Sequence, residues 1–259
     1  MAGGAREPGR SVTSRALAVL GAFDVSHPTL TLTQIARRAG LPPPTAHRLV
    51  AELEAWQALA RRGDGSYEIG RRLWQLGLLA PLHHELREVA SPFMHDVHAA
   101  TGDVVHLAVR EGMRALYVES VVGSGSVSVV SRAGSRLPLH ATGVGKVLLA
   151  AAPGDVVEQV LGALTRVTRH TIVEPGRMAR ELLQTRHRGY GRTAEEMTLG
   201  ACSVAVPVRL GVGAVQPSAS GDVVAALGVV APSARRDLLR LVPILQVAAA
   251  GIGRALPRF

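Results

Sequence analysis

The sequence predicts an α+β protein built from two parts. Hydrophobic residues at helical spacing, together with one short hairpin, occupy the chain from Ser14 to about Ala80. From Gly102 onward apolar strands come first, then helices, then strands again before a final helix. Strands and helices grouped in this way are typical of a largely antiparallel sheet with helices packed on it. We therefore expect a helical first part and a second part built around a sheet.

The first two helices are predicted from their end signals. Ser14 is a suitable N-cap for a helix over 14–22, where apolar residues recur at helical spacing. Thr31 and Gln34 have the spacing of a capping box, which predicts the start of the next helix. Gly40 suits the left-handed conformation that ends a helix.

A third helix is predicted to begin at the three prolines 42–44 and to continue to Trp56. Proline is tolerated in a first helical turn because the N–H group that it lacks has no helical partner there. Helical spacing places Leu49, Leu53 and Trp56 on one face, so we expect these three side chains to point inward.

A hairpin follows the third helix. Segments 58–62 and 66–69 flank Gly63-Asp64-Gly65, which has the composition of a tight turn. Three helices and such a hairpin are the element order of a winged helix-turn-helix, in which the last helix enters the DNA major groove. The helix pair could also be a structural corner only. The residues predicted to contact DNA are Thr33, Pro43, Pro44, Thr45, His47, Arg48, Arg61 and Arg62.

The second part follows two connecting helices, predicted at 71–80 and 83–100 and separated by Pro81. Loop 209–221 is long and rich in Gly and Ser, so we expect it on the surface. The predicted strands are 104–109, 115–122, 127–130, 201–208 and 223–230. The predicted helices are 142–152, 155–164, 176–188 and 233–255.

The composition is that of a folded soluble protein. Of the 259 residues, 47% are hydrophobic, which is enough to bury a core. The longest apolar stretches, 223–232 and 241–253, are shorter than the roughly 18 residues of a membrane span, and residues 1–10 lack the apolar segment of a secretory signal. The single cysteine, Cys202, cannot form an internal disulfide or a cysteine-based zinc site. We expect a cytoplasmic protein without a membrane partner.

The chain is strongly basic. Lys and Arg outnumber Asp and Glu by 29 to 20, and Lys146 is the only lysine. This surplus favours an anionic partner such as nucleic acid, although an arginine-rich genome would produce the same surplus without one. Position is more informative, because no acidic residue lies between Asp24 and Glu52, which enclose the predicted helix pair. The acid-free window, more than the total charge, indicates nucleic-acid binding.

Motifs along almost the whole chain, in matching order and spacing, resemble the isocitrate-lyase-regulator (IclR) family of transcription factors. In the first part these motifs are TQIARRAGLP at 33–42, TAHRL at 45–49 and GSYEIG at 65–70. In the second part they are TG at 101–102, VHL at 105–107, LPLHATG at 137–143, GK at 145–146, RGY at 188–190, EE at 195–196, LG at 199–200 and VPV at 206–208. Each motif alone is weak evidence, but together they are specific.

The resemblance implies a dimeric or tetrameric regulator that binds a palindromic double-stranded DNA operator, as a repressor rather than an activator. Its domains would be a flexible N-terminal tail at 1–13, a winged helix-turn-helix at 14–76 and a GAF-like α/β effector-binding domain at 77–259, joined by a linker helix. A symmetric dimer places two recognition helices in successive major grooves. The half-sites should therefore lie about one helical turn, or a multiple of it, apart.

The resemblance also implies a site for a small-molecule effector in the second part. Gly143 and Gly145 open a predicted helix whose free N–H groups could receive a carboxylate, although the glycines could instead only permit close packing. The residues that the resemblance assigns to the effector are Gly143, Val144, Thr193, Ala201, Ser203, Gly228 and Val230.

The chain departs from the family pattern at several of these positions. Relatives commonly have Asp at Thr193, Cys at Ser203 and a Ser-x-Ser-Gly run at 228–231. We therefore expect an effector that is apolar or weakly acidic rather than a short 2-oxo acid, or a pocket that no longer binds an effector. Pro43 and Pro44 replace the usual basic and Ser residues, so the family does not predict the operator sequence.

Two enzyme patterns are incomplete. Gly143–Lys146 resembles part of a phosphate-binding loop, but the Walker pattern needs Gly at His140 and Ser or Thr at Val147. The segment 123–127 has glycine where a Gly-x-Ser-x-Gly elbow has its serine. We therefore expect no enzyme activity and no cofactor.

Two further groups of polar residues leave alternatives open. His95, His98, Asp103 and His106 could hold a metal, although histidines on a helix face are more often solvated or interfacial. The adjacent carboxylates at 195–196 could act as acid and base, but adjacent side chains point in different directions. We expect no metal site. The open alternatives are a ligand-silent oligomerisation domain and a metal-dependent enzyme fused to a DNA-binding module.

Overall fold

The computed structural model describes residues 11–24, 27–79, 83–123, 131–210, 223–234 and 237–256. The chain divides into two compact units, with the division between residues 82 and 83. The expected strand at 127–130 lies outside the described residues, as do nearly all of the expected tail at 1–13 and of the expected loop at 209–221. Residues 80–82 are also outside the described part. The expected domain boundary between residues 76 and 77 stays a prediction.

In its described residues, the first unit contains four helices and a three-stranded antiparallel sheet. Its helices are α1 (Val12–Leu20), α2 (Leu32–Ala39), α3 (Pro43–Ala55) and α4 (Arg71–Leu78). Its strands, in the sheet order β1-β3-β2, are β1 (Thr29–Leu30), β2 (Leu59–Arg61) and β3 (Tyr67–Ile69). One apolar core joins helices α1 to α3 and the sheet, with Val19, Leu30, Ile35, Leu49 and Leu59 almost completely buried. The predicted three helices and hairpin are therefore confirmed.

The ends of α2 are set by local hydrogen bonds. The Gln34 backbone N–H donates to the Thr31 hydroxyl at 3.4 Å, and the Thr31 N–H donates to the Gln34 side chain at 2.8 Å. These bonds form the predicted capping box. Gly40 ends the helix in the left-handed region, with φ of 63°. This geometry fixes the turn between α2 and α3.

Two expectations for the first unit are wrong, and one strand was missed. The N-cap of α1 is Ser11, which accepts from the Ser14 N–H at 3.0 Å, so the helix begins earlier than predicted. Trp56 is not inward: it is 44% exposed, and the Arg72 guanidinium lies 4.6 Å from its ring centroid. Strand β1 was not expected, because a strand of two residues is too short to show a pattern in the sequence.

In its described residues, the second unit is a six-stranded antiparallel sheet with helices on both faces. Its strands, in the sheet order β6-β5-β4-β9-β8-β7, are β4 (Val104–Glu111), β5 (Arg114–Val121), β6 (Arg136–Pro138), β7 (Gly191–Ala194), β8 (Ala201–Arg209) and β9 (Val223–Pro232). Its helices are α5 (His84–Thr101), α6 (Gly143–Ala150), α7 (Gly154–Leu161), α8 (Pro175–Arg188) and α9 (Val242–Ala255). The predicted α+β class is confirmed; the short outer strands β6 and β7 were missed.

Alternation along the strands separates two cores. Leu107 of β4 faces a core with α5 and α9, whereas the next residue, Ala108, faces a core with α6, α7 and α8. Successive side chains of a strand point to opposite faces, so a strand covered on both faces is apolar throughout. The candidate site described below lies on the α6 face.

Helix α9 packs as part of the first of these cores. Leu238–Ala255 is long and apolar enough to cross a membrane by length and composition. Leu245 and Ile252 are nevertheless fully buried against the sheet, and a Cβ at Gly253 would collide with the Arg209 carbonyl. The predicted helix over 233–255 starts later, as a 3-10 turn at Leu238–Leu241 that leads into α9. A buried core helix can be as long and as apolar as a membrane span, so the length of this segment is weak evidence for a span.

We expect Thr31→Ala to lower the free energy of unfolding of the first unit by about 1 kcal/mol, because the α2 N-cap is lost. Thr33→Ala is the matched control, since Thr33 is exposed in the same helix and alanine favours the helix. Urea unfolding monitored by tryptophan fluorescence reports on this unit, because both tryptophans, Trp56 and Trp74, lie in it. Equal stability of the two variants would contradict the capping role.

Candidate functional site

The outer face of α3 carries most of the residues that were predicted to contact DNA. Ala46, Leu49 and Val50 are buried against the rest of the unit, which directs the other side of the helix outward. Thr45 is half-buried at the boundary. The predicted residues that are exposed on α2 and α3 are Thr33, Pro43, Pro44, His47 and Arg48.

Arg48 is a cation on this face that is held only loosely. Its guanidinium lies 3.9 Å from the Glu52 carboxylate one turn later, and both side chains are more than 60% exposed. An exposed pair at this distance contributes little, so Arg48 can exchange it for another anionic or polar partner. Arg38, in contrast, donates to the Ala22 carbonyl at 2.6 Å and pairs with Asp24, so it serves the fold of the unit.

The hairpin holds its two arginines differently. Arg62 donates to Glu68 at 2.9 Å and lies 4.0 Å from Asp64, whereas the Arg61 guanidinium lies 5.9 Å from the Tyr67 ring centroid. Asp64 also fixes the turn, because its carboxylate accepts from the Ser66 N–H and hydroxyl, bonds that lower its pKa. Of the two predicted wing contacts, Arg62 is therefore partly neutralised within the hairpin.

A cleft of about 370 Å³, part of it open to solvent, lies in the second unit. Four of the seven predicted effector residues line it, namely Thr193, Ala201, Ser203 and Val230. Seven further residues line the cleft, and the sequence analysis did not predict them. They come from strands and loops far apart in the chain and show no shared local pattern. These further lining residues are Tyr117, Ser131, Leu137, Thr142, Met197, Thr198 and Cys202.

The remaining predicted residues, Gly143, Val144 and Gly228, lie behind the wall of the cleft. A Cβ at Gly143 would lie 2.6 Å from the Ser203 hydroxyl, and a Cβ at Gly228 would lie 2.9 Å from the Val144 side chain. These glycines therefore allow α6 to pack directly on β8 and β9. The expectation of free N–H groups at the start of α6 is wrong for Gly143 and Gly145: Gly143 donates to Ser203 at 3.2 Å, and Gly145 donates to the N-cap Thr142 at 3.1 Å.

Hydroxyl groups form the polar part of the cleft. The Thr193 and Ser203 hydroxyls lie 2.6 Å apart, and Ser203 also accepts from Gly143. Tyr117 shares a hydrogen bond with Thr142, and complete burial raises the pKa of its phenol. The phenol therefore stays neutral at physiological pH and can act as donor or acceptor.

A buried histidine lies behind Ser131. The His106 Nε2 and the Ser131 hydroxyl are 2.8 Å apart, and the His106 ring meets the Tyr117 ring edge-on with 5.0 Å between centroids. Burial lowers the pKa of His106 to about 4, so the imidazole is neutral at pH 7. This histidine orients a lining hydroxyl and adds no charge to the cleft.

The lining residues that the structure describes include no charged side chain. Lys146, a cation of α6, is 1% exposed and paired with Glu196 at 2.7 Å. Glu195 lies near His170 instead, 3.6 Å away, so the two adjacent carboxylates have separate partners. The cleft offers hydroxyls and apolar surface to a ligand.

The histidines considered for a metal have other partners. His95 is 2.8 Å from the Ser91 carbonyl, and His98 is 2.7 Å from the Asp103 carbonyl. Across the described ranges, no three His, Cys, Asp or Glu side chains are grouped so that they could hold a metal ion.

Comparison with known families matches both units. Residues 12–63 match the IclR helix-turn-helix domain. Residues 80–254 match the family described as bacterial transcriptional regulator IclR, C-terminal. The second match alone covers more than half of the chain.

Individual relatives extend over most of the chain. The HTH-type transcriptional regulator XynR of Escherichia coli is 33% identical over 201 residues, which cover 75% of this chain and 78% of XynR. The transcriptional repressor IclR of the same species is 29% identical, covering 72% of this chain and 70% of its own. The crystal structure of an IclR homologue from Microbacterium hydrocarbonoxydans, complexed with 4-hydroxybenzoate, is 35% identical with a TM-score of 0.84, covering 95% and 98% of the two chains.

Proposed function

The chain belongs to the IclR family of bacterial DNA-binding transcriptional regulators, and from this membership we propose that it is a homodimeric repressor controlled by a small molecule. The observation that carries the proposal is the cleft, whose described lining combines hydroxyls with apolar side chains and holds no charge. The first unit binds a palindromic operator, and the second unit binds the effector in the cleft.

The surface of α3 supports the DNA-binding part of the proposal. In a helix-turn-helix the first turns of the second helix, which is α3 here, reach the base edges. Here those turns carry the exposed residues Pro43, Pro44, His47 and Arg48. Pro43 and Pro44 have no N–H to donate to a phosphate, so Thr45 and Arg48 provide the polar contacts at this end. Thr33 and the hairpin residues Arg61 and Arg62 contact the DNA phosphate backbone on either side of α3.

Exposed apolar side chains support a second copy of the chain as partner. Leu17 of α1 and Trp74 of α4 are each 62% exposed, and Leu79, directly after α4, is 76% exposed. A contiguous exposed apolar patch marks an interaction surface, and we propose that these side chains contribute to one. A symmetric dimer formed through them presents two α3 helices to two operator half-sites.

The chemistry of the cleft supports an apolar or weakly acidic effector. A short 2-oxo acid needs cations or several free N–H groups, whereas Gly143 and Gly145 already donate within the protein. Tyr117 and Val230 provide flat apolar surface, and the hydroxyls of Thr193 and Ser203 provide hydrogen bonds. A small phenol fits both features without a charge, and an aromatic acid gains from the burial of its ring, which a short 2-oxo acid lacks. The ligand of the Microbacterium relative, 4-hydroxybenzoate, has this chemistry and is the first compound to test.

Repression is supported by the relatives named as transcriptional repressors, including IclR and AllR of Escherichia coli. Regulators of this kind act on chromosomal DNA, so we propose a cytoplasmic location, no membrane partner and no enzyme activity. A ligand-silent oligomerisation domain and a metal-dependent enzyme are the alternatives that the experiments below distinguish.

We expect Arg48→Ala to weaken operator binding by about 1–3 kcal/mol, because a base or phosphate contact is lost while the fold is unchanged. The operator fragment is first selected from random DNA, and affinity is then measured by gel shift at fixed salt. Arg87→Ala is the matched control, since it removes another exposed arginine, paired with Glu119, from the second unit. Unchanged affinity for Arg48→Ala, or an equal loss in the control, would contradict this assignment.

We expect small aromatic acids or phenols to raise the melting temperature of the protein, and short 2-oxo acids and metal ions not to do so. A ligand at 100 times its dissociation constant stabilises the folded state by about 2.7 kcal/mol, which a thermal-shift assay resolves. Val230→Trp should abolish the shift by filling the cleft, whereas Val247→Trp, on the exposed side of α9, should keep it. No shift with any compound would support the ligand-silent alternative, and a shift with metal ions alone would support the enzyme.

A further inference from the structure

Lys146 is buried within a network of four charged side chains. Its Nζ donates to Glu196 at 2.7 Å and lies 3.9 Å from Glu181, and it also donates to the Arg192 carbonyl at 3.0 Å. Glu181 in turn accepts from Arg188 at 2.6 Å. The charges of the two cations and the two carboxylates balance, so the network is neutral as a whole.

This network connects two walls of the cleft. Lys146 belongs to α6, whose N-cap Thr142 lines the cleft. Glu196 belongs to the segment between β7 and β8, which continues directly into the lining residues Met197 and Thr198. The ammonium is therefore the direct polar link between the helix wall and the loop wall.

Other bonds hold both ends of the same loop. Thr168 donates to the Glu195 carbonyl at 2.7 Å, and Thr171 donates to the Glu196 carbonyl at 2.7 Å. After Met197, the Thr198 carbonyl accepts from the Ala201 N–H at 3.3 Å, and the Gly200 carbonyl accepts from the Ser233 N–H at 2.8 Å. Between these two ends, the Glu196 side chain ties the loop to Lys146 on α6.

The energetics of the Lys146–Glu196 ion pair allow it to separate and form again. Burial raises the pKa of Glu196, while Lys146 acts against this shift. The second carboxylate oxygen of Glu196, Oε2, is buried with no hydrogen-bond partner among the described residues. A buried pair with an unsatisfied oxygen adds little net stability, yet removal of one partner leaves an expensive buried charge. Such a pair defines one arrangement of the loop without making it permanent.

Composition provides an independent indication. Lys146 is the only lysine among 29 Lys and Arg residues, in a chain that otherwise uses arginine. Its side chain is 1% exposed, and a planar guanidinium is larger than an ammonium with three donors. A lysine ammonium fits this buried position, whereas the larger planar guanidinium of arginine does not.

We propose that Lys146 is a positioning residue of the cleft, whose ion pair with Glu196 latches the loop at residues 195–200 against α6 and so places Met197 and Thr198. The proposal rests on the proposed function only in treating the cleft as the effector site. When the pair separates, the loop moves away from α6 and the cleft opens at β8.

Cys202 allows the latch to be tested without DNA or effector. It is the only cysteine of the chain, it lines the cleft, and its thiol is hydrogen-bonded to the backbone of Glu195 at the start of the loop. The rate at which Ellman's reagent modifies the full-length protein at pH 7 therefore reports opening of the loop. We expect Lys146→Met to increase this rate at least about tenfold, because Glu196 is left buried without its partner.

Three further variants separate a latch from general destabilisation. Lys146→Met combined with Glu196→Met should return the rate to within about threefold of wild type, since an apolar pair removes the uncompensated charge. Glu196→Gln keeps the volume of the side chain and should increase the rate, which provides a readout if Lys146→Met does not fold. Arg87→Met, which breaks the exposed pair with Glu119, should leave the rate unchanged.

The urea dependence of the modification rate completes the test. Local opening exposes little surface, so the rate in Lys146→Met should change little at low urea, whereas a rate governed by global unfolding rises steeply. The proposal is overturned if Lys146→Met and Glu196→Gln react like wild type, if the double variant reacts as fast as Lys146→Met, or if the increase follows global unfolding. Each of these results is independent of operator and effector binding.

Discussion

The close approach of α6 to the sheet is the constraint on which the second unit depends. A Cβ at Gly143, Gly191 or Gly228 would collide with the neighbouring helix or strand. The contact brings the first turn of α6 to β8, where Ser203 accepts from Gly143. It also carries the Lys146 side chain into the protein interior, where only a paired charge is tolerated. The polar lining of the cleft and the buried ion pair both follow from this packing.

Local signals made most of the first unit predictable from sequence. The capping box at Thr31, the left-handed Gly40 and the turn at residues 63–65 each involve neighbours within a few residues. The same local logic misplaced the start of α1, because Ser11 and Ser14 are both acceptable caps and only packing selects one. Strand β1 depends on pairing with β3, and no local sequence pattern indicates that contact.

The cleft was predictable in part, and only through family resemblance. Thr193, Ala201, Ser203 and Val230, which the resemblance assigns to the effector, line it. The prediction of free N–H groups on α6 failed for Gly143 because its partner on β8 is 60 residues away in sequence, and for Gly145 because the N-cap Thr142 accepts from it. The Tyr117, Ser131 and Met197 contributions likewise arise from tertiary packing. The replacement by Thr193 of the Asp that relatives commonly have still indicated one property of the site, which is a lining without charge.

Reciprocal linkage between the two ligands tests the regulator account most directly. Operator affinity would be measured with and without saturating effector, and effector affinity with and without saturating operator. If occupancy of the cleft controls DNA binding, the two affinities change by the same factor, because linkage is symmetric. For a repressor released by its effector, both are weakened, typically by about 5–150-fold. An effector that binds the cleft and leaves operator affinity unchanged would contradict the account.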